Sequence, residues 1–274
     1  MSIFSRNHAQ SGMHTSLQTQ AITPETVFSV RTASNARISP DGKKIAFQVG
    51  EWLPGEEKYR KRLWITDASS NEPEPFTRGI RQDGVAAWSP DGHTIAFASK
   101  LEGEKGGSHF QLFVKDVQTG DEHLICTLPN GISNVSWSPD GKRIAFCSVE
   151  GEPPLQDPQV QYYGIGRHTR LWTVRRDYDI AEPVTPNGLT VWHYTWSPDS
   201  SRFAVYYTTG PEETDWYRGQ IGLVAAHGGR FIRSVNLRVR RSRLPGRQME
   251  HDWRMFQVSG AIPIAAVAIS IYTH

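Results

Sequence analysis

Four times in 274 residues the chain returns to one turn tetrapeptide followed by one apolar triplet. Ile38-Ser39-Pro40-Asp41-Gly42 leads into Ile45-Ala46-Phe47, and Trp88-Ser89-Pro90-Asp91-Gly92 leads into Ile95-Ala96-Phe97. Trp137-Ser138-Pro139-Asp140-Gly141 leads into Ile144-Ala145-Phe146, and Trp196-Ser197-Pro198-Asp199-Ser200 leads into Phe203-Ala204-Val205. The four serines are spaced by 50, 49 and 59 residues. Each repeat carries a second matching stretch, beginning at Leu63, Leu112, Leu171 and, more weakly, Ile221. A unit of about fifty residues therefore recurs, and a fixed period of that size is the mark of stacked supersecondary units.

The chemistry of the unit sets its local structure. Proline fixes φ at the first corner, aspartate tolerates the second, and glycine takes the left-handed position that closes a type I turn with a bulge. The triplet behind the turn is apolar on both faces, so its strand must be covered on both sides. The second stretch reads as strand, polar turn and strand. With the strand before each Ser-Pro, the unit holds about four antiparallel strands, and no amphipathic helix separates the units, which argues against βαβ folds. The expectation is an all-β β-propeller of four-stranded antiparallel blades, about four in number and incomplete, since rings close with typically 4–8. A β-sandwich is the alternative, but it gives no reason for one turn to recur at a fixed period. Ser200 replaces the glycine in the fourth repeat, at a cost of roughly 1–2 kcal/mol if the left-handed geometry is kept. The ten extra residues ahead of that repeat belong to residues 153–168, a Pro- and Gly-punctuated insertion read as a projecting loop.

Charge divides the chain. Residues 230–274 hold eight Arg, no Lys and two acids, a formal +6, while the preceding 229 residues carry −4. The expected organisation is a leader over 1–21, propeller repeats over 22–229 and a basic non-repeat tail over 230–274. Three readings of the tail stay open: a basic arm for nucleic acid or anionic membrane, a divergent last blade, or a terminus altered by frameshift or truncation. The overall +2 gives no ground for a nucleic-acid partner. The twelve-residue apolar run 261–272 is too short to span a bilayer, and residues 1–20 lack the apolar core of a signal peptide, so a cytoplasmic setting is expected and a membrane partner is not. Cys126 and Cys147 sit in strand-like runs with no other Cys or His at metal-ligand spacing, so they read as buried small hydrophobes, with no metal or cofactor implied.

The Ser-Pro-Asp-Gly-x-x-Ile-Ala-Phe repeat resembles that of the Tol-system periplasmic propeller and of the N-terminal domains of the prolyl oligopeptidase family of serine peptidases. The lead-in Ile22-Thr23-Pro24-Glu25-Thr26-Val27-Phe28 is similar to the start of the acylaminoacyl-peptidase-like members. The resemblance covers residues 22–229. It implies a propeller that caps an α/β-hydrolase domain and restricts entry to short peptides. It also implies a Ser-Asp-His triad with its serine in Gly-x-Ser-x-Gly, a motif found nowhere in this sequence. No catalytic residue is therefore assigned, and the chain by itself is expected to be inactive.

Other candidates carry structural readings beside functional ones. His227-Gly228-Gly229 is similar to an esterase oxyanion loop, but it aligns with the turn after a repeat's second strand and is read as a hairpin turn. Glu212 and Glu213 are weak substrate-contact candidates, because dipeptidyl peptidases hold a substrate amino group with paired propeller glutamates; a solvated acidic loop is the plainer reading. His193 lies in an aromatic strand, where packing or a surface position outweighs ligation. Trp88, Trp137 and Trp196 share one repeat position, which points to packing rather than a ligand surface. The expected function is thus the substrate-gating propeller of a serine peptidase of the prolyl oligopeptidase family, taking short peptides once joined to a catalytic domain. The alternative is a stand-alone propeller binding a protein partner. An open arc of blades is also expected to self-associate through its uncovered face.

Overall fold

The computed structural model describes residues 30–53, 58–70, 72–77, 81–100, 109–151 and 166–232, the backbone at Lys58, and the backbone of three strands between 237 and 268. The leader, the lead-in up to residue 29 and most of the 153–168 insertion lie outside the described residues. Four antiparallel sheets follow one another along the chain, one per repeat. The first blade is β1 (Thr32–Ile38), β2 (Lys44–Leu53), β3 (Lys58–Asp67) and β4 (Glu74–Pro75), paired in that order. The second begins with a split innermost strand, β5 (Gln82–Asp83) and β6 (Ala87–Trp88), both paired to β7 (Thr94–Lys100), then β8 (Gln111–Asp116) and β9 (Glu122–Cys126). The third is β10 (Ser133–Trp137), β11 (Arg143–Val149), β12 (Thr169–Arg175) and β13 (Ala181–Pro183). The fourth is β14 (Thr190–Trp196), β15 (Arg202–Thr208), β16 (Gln220–Ala225) and β17 (Phe231–Ile232), so it runs just past residue 229. A 3-10 turn, Glu213–Arg218, is inserted between β15 and β16. This is an all-β protein of propeller blades.

Every Ser-Pro-Asp corner is built alike. In the third blade, Ser138 N donates to Arg143 O (2.9 Å), Gly141 N to Ser138 O (2.9 Å), and Ser138 Oγ to Asp140 Oδ1 (2.6 Å), while Arg143 N donates to Ser138 Oγ (2.9 Å). The serine thus sits buried at 0% exposure with its hydroxyl spoken for, and the aspartate caps Lys142 N at 3.1 Å. Gly42, Gly92 and Gly141 have φ of +74°, +73° and +69°, and Ser200 keeps the same corner at +60°. A compensation is visible: Asp140 N of the preceding blade donates to Ser200 Oγ at 3.0 Å. The fourth corner therefore exchanges backbone ease for a bond across the blade seam. Ser200→Ala, which keeps the strained φ and loses that bond, is expected to lower stability by about 1–2 kcal/mol, whereas Ser200→Gly, which loses the bond but relieves the strain, stays within about 1 kcal/mol of the parent. Urea unfolding of the two variants checks the order; a glycine variant less stable than the alanine one contradicts it.

One rule governs the seams between blades. From the second blade on, the two large residues of each triplet pack back on the alanine face of the preceding blade. Ile95 and Phe97 close on Ala46, Leu63 and Ile65, with Phe97 stacked on Phe113 at 6.0 Å between centroids. Ile144 and Phe146 close on Ala96, Ala98 and Val114. Phe203, Val205 and Tyr207 close on Ala145, Cys147 and Leu171. The small alanine lets the sheets approach, and the large residue fills the gap. The repeated tryptophan adds a polar tie at each seam: Trp88 Nε1 donates to Arg37 O (3.0 Å), Trp137 Nε1 to Ala87 O (3.1 Å) and Trp196 Nε1 to Ser136 Oγ (3.2 Å). The first blade has Ile38 in this place, 66% exposed, and its Ile45 and Phe47 are only half-buried where their counterparts are at 0%. Its back face is the uncovered one among the described blades.

Beyond Ile232, β18 (Leu237–Val239), β19 (Met255–Val258) and β20 (Val267–Ala268) pair as a small antiparallel sheet. The sequence reading found no strand rhythm in this region because its extended segments are two to four residues long, too short for a period of two to show.

Candidate axial site

Each blade begins with its innermost strand, so β1, β5/β6, β10 and β14 come together with their free edges toward the axis around which the blades are arranged. Three of these strands carry an irregularity at the same depth. The register shifts between Ser34 and Arg37 in β1, between Ser133 and Ser136 in β10, and between Val191 and His193 in β14. Asn35 and Asn134 occupy the first two at φ +53° and +51°, the left-handed region that asparagine tolerates. Bulges of this kind re-aim side chains next to sites.

The strands enclose an open cavity of about 800 Å³. Its walls combine the aromatic residues Trp88, Phe110, Trp137 and Tyr194 with the polar Arg37, Ser133, Asn134 and His193, and among the described residues none of the lining is an aspartate or glutamate. The aromatic polar atoms are already engaged. The two indole N–H groups make the seam ties, and the Tyr194 hydroxyl accepts from Ser136 Oγ (3.0 Å) and faces the carbonyls of Asn134 and Ala145. Burial holds the Tyr194 hydroxyl well above its ordinary pKa, so it stays neutral. What the half-buried rings of Trp88, Phe110 and Tyr194 offer a ligand is therefore their faces, whereas Trp137 is buried in the seam with the Arg176 guanidinium over its ring at 5.6 Å. Burial also lowers the pKa of His193, which is neutral near pH 7. Among the described lining residues, Arg37 and the half-buried aromatic rings suit the binding of anionic and apolar groups.

The candidates named from sequence are scattered. Glu212 and Glu213 lie on the 3-10 turn at the edge of the fourth blade, both exposed, with Glu212 N capped by Asp215 Oδ2 at 3.2 Å. Neither lines the axial cavity. His227-Gly228-Gly229 forms the β16–β17 hairpin turn, with Gly228 N donating to Ala225 O (2.9 Å) and glycine φ values of +80° and +100°. Cys126 and Cys147 are free and buried, and burial pushes both thiols up to about 12. Among the described residues no group of three His, Cys, Asp or Glu is placed to hold a metal, and no helix is long and apolar enough to cross a membrane. The Ser-Pro-Asp serines and aspartates are consumed by their own corners. The axial residues Arg37, Asn134 and Tyr194 escaped sequence reasoning. The usable signal was register: they fall two to four positions before each repeat serine, where the four innermost strands converge.

No family model matches the chain. An uncharacterized peptidase of Bacillus subtilis, YuxL, is 28% identical over 112 residues, 41% of this chain and 16% of that protein. Dipeptidyl-peptidase 5 of Porphyromonas endodontalis is 25% identical over 116 residues, 42% of this chain and 16% of the relative. The matches thus span about a sixth of the length of these curated relatives. Among solved structures, uncomplexed acylaminoacyl peptidase from Pyrococcus horikoshii superposes with a TM-score of 0.57 at 14% identity, covering 88% of this chain and 40% of that one. At that identity the likeness shows the fold. The chain is built of propeller blades and is similar in sequence to parts of two peptidases.

Proposed function

We propose that this chain is the substrate-gating propeller of a serine peptidase of the prolyl oligopeptidase type, admitting short peptides toward a separate hydrolase domain and inactive alone. The observation that carries the reading is the sequence match to two peptidases, within a chain whose fold is also that of acylaminoacyl peptidase. The axial cavity supports it, since its volume of about 800 Å³ has room for a few peptide residues. Fold likeness alone would not, because propellers host many functions.

The 274-residue chain, incubated with a fluorophosphonate probe and with a chromogenic acyl-peptide, is expected to take no label and release no product. Stoichiometric labelling of a serine would overturn the reading by revealing a nucleophile in the chain itself. A propeller acting as a protein-interaction module would instead bind a folded partner and ignore short peptides.

A further inference from the structure

Arg37 stands apart from the other charged groups of the first blade. On β2 and β3, Glu51 is buried and paired with Arg62 and, at 3.2 Å, with Arg31; Lys44 meets Asp67 at 2.8 Å. The Arg37 guanidinium, exposed on the innermost strand, has only the neighbouring Ala36 carbonyl at 3.1 Å, and among the described residues no carboxylate pairs with it. Its backbone is nevertheless pinned, since its own carbonyl accepts the Trp88 indole N–H across the seam. Arg37 thus lines, from a fixed backbone position, a cavity whose described lining residues include no acid, although acids outnumber bases in the first 229 residues.

A guanidinium with no carboxylate partner among the described residues, in a cavity partly walled by aromatic rings, is complementary to one anionic group attached to an apolar body. We infer that the axial cavity holds the C-terminal carboxylate of a short peptide on Arg37, with an apolar or aromatic side chain of that peptide against the half-buried rings of Trp88 and Phe110. Asn134 and neutral His193 supply uncharged hydrogen-bonding groups to the peptide backbone. A peptide is favoured over an inorganic anion because the polar groups are few and the rings leave most of the wall apolar. The assignment rests on the peptide-gating reading and narrows it. The cavity selects for chain ends, which only short peptides present at this depth.

The test uses the intact 274-residue chain and two probes, N-acetyl-Ala-Ala-Phe with a free carboxylate and the same tripeptide as its C-terminal amide. Binding is followed by calorimetry and by tryptophan fluorescence. The acid is expected to bind at least about tenfold more tightly than the amide, with a preference that shrinks as salt rises. Arg37→Ala should abolish the preference for the acid over the amide, and Arg37→Lys should restore part of it, because a point charge replaces the planar fork. The exposed Arg37 side chain has no packing role, and the lysine variant serves as the folded comparison should the alanine one fail. Equal affinity for acid and amide in the parent chain overturns the carboxylate site and leaves the gating reading standing. A preference that survives Arg37→Ala overturns the role of Arg37. Failure of both probes to bind overturns the site and the gating reading together.

Discussion

Phe146→Ala is expected to lower the unfolding free energy by about 3–5 kcal/mol, whereas Phe47→Ala, at the same repeat position, should cost no more than about half as much. The two residues share a sequence context and a strand position, and differ in what stands behind them. Phe146 is at 0% exposure, closed between β11 and the Ala96, Ala98 and Val114 face of the second blade. Removing its ring leaves a cavity in a seam that is packed on both sides. Phe47 is half-buried on the back face of the first blade, and part of its ring already meets solvent. A loss of 3–5 kcal/mol is a large share of the roughly 5–15 kcal/mol that keeps a domain folded, so the Phe146 variant should unfold at markedly lower urea. Equal losses at the two positions would mean that the first blade's back face is covered in solution, and a concentration-dependent midpoint would identify a second copy as the cover.

The second large effect concerns a carboxylate sealed in the seam between the first two blades. Asp83 stands where the next two repeats have Ile132 and Val191, and it is only 2% exposed. Its Oδ1 accepts from Ser99 Oγ at 2.6 Å, and its Oδ2 accepts from Thr77 Oγ1 and, at 3.4 Å, from Leu63 N. Burial raises its pKa above the ordinary carboxylate value. The bonds from Ser99, Thr77 and Leu63 pull the other way without cancelling it, and the nearby Glu122, itself paired with Arg81, adds to the rise. Each of Ser99→Ala and Thr77→Val removes one donor from a buried acceptor, and each is expected to cost about 1–3 kcal/mol near neutral pH. The double variant should cost more than either single one.

The pH dependence has a definite sign. Because the folded pKa is the higher one, the contribution of Asp83 to stability is fully present below about 3.8, the unfolded value, and is lost as pH rises through the folded pKa. Asp83→Asn removes the charge; its amide oxygen can still accept from Thr77 and Leu63, while its NH2 faces the Ser99 hydroxyl as a donor, a fixed change that does not depend on pH. Its stability relative to the parent should therefore improve between pH 4 and the folded pKa and stay level above it. Thermal melts of both proteins across that range check this, and a difference that does not change with pH would contradict a raised pKa.

The position of Asp83 shows how far the sequence could be read. The repeat alignment identified the four units, their turns and the two-faced strands, because Ser-Pro-Asp-Gly and Ile-Ala-Phe are local chemistry: a corner, then a strand with one large and one small face. It could not say that the large face of one unit meets the small face of the unit before it, since that depends on how blades stack and not on any one blade. The three tryptophans were read as packing residues. The structure adds that each N–H crosses a seam, and that Ile38 in the same place marks the first blade as having no described neighbour behind it. The cost assigned to Ser200 was legible, but its compensation by Asp140 N, sixty residues away, was not.

The candidate site divides in the same way. Glu212-Glu213 and His227-Gly228-Gly229 stand out as motifs, and the structure places them in local turns, with Glu212 and Glu213 exposed and outside the axial cavity lining and the two glycines at positive φ. Arg37, Asn134, His193 and Tyr194 belong to no motif, because they come from strands about fifty residues apart and meet only when the blades gather around an axis. What the sequence by itself determined is the unit, its turn chemistry and its number of repeats, all properties of contacts within about fifty residues. Which faces are covered, which carboxylate is sealed in a seam and which side chains share the axial cavity were decided only by the tertiary structure, because each depends on contacts between blades that no local period encodes.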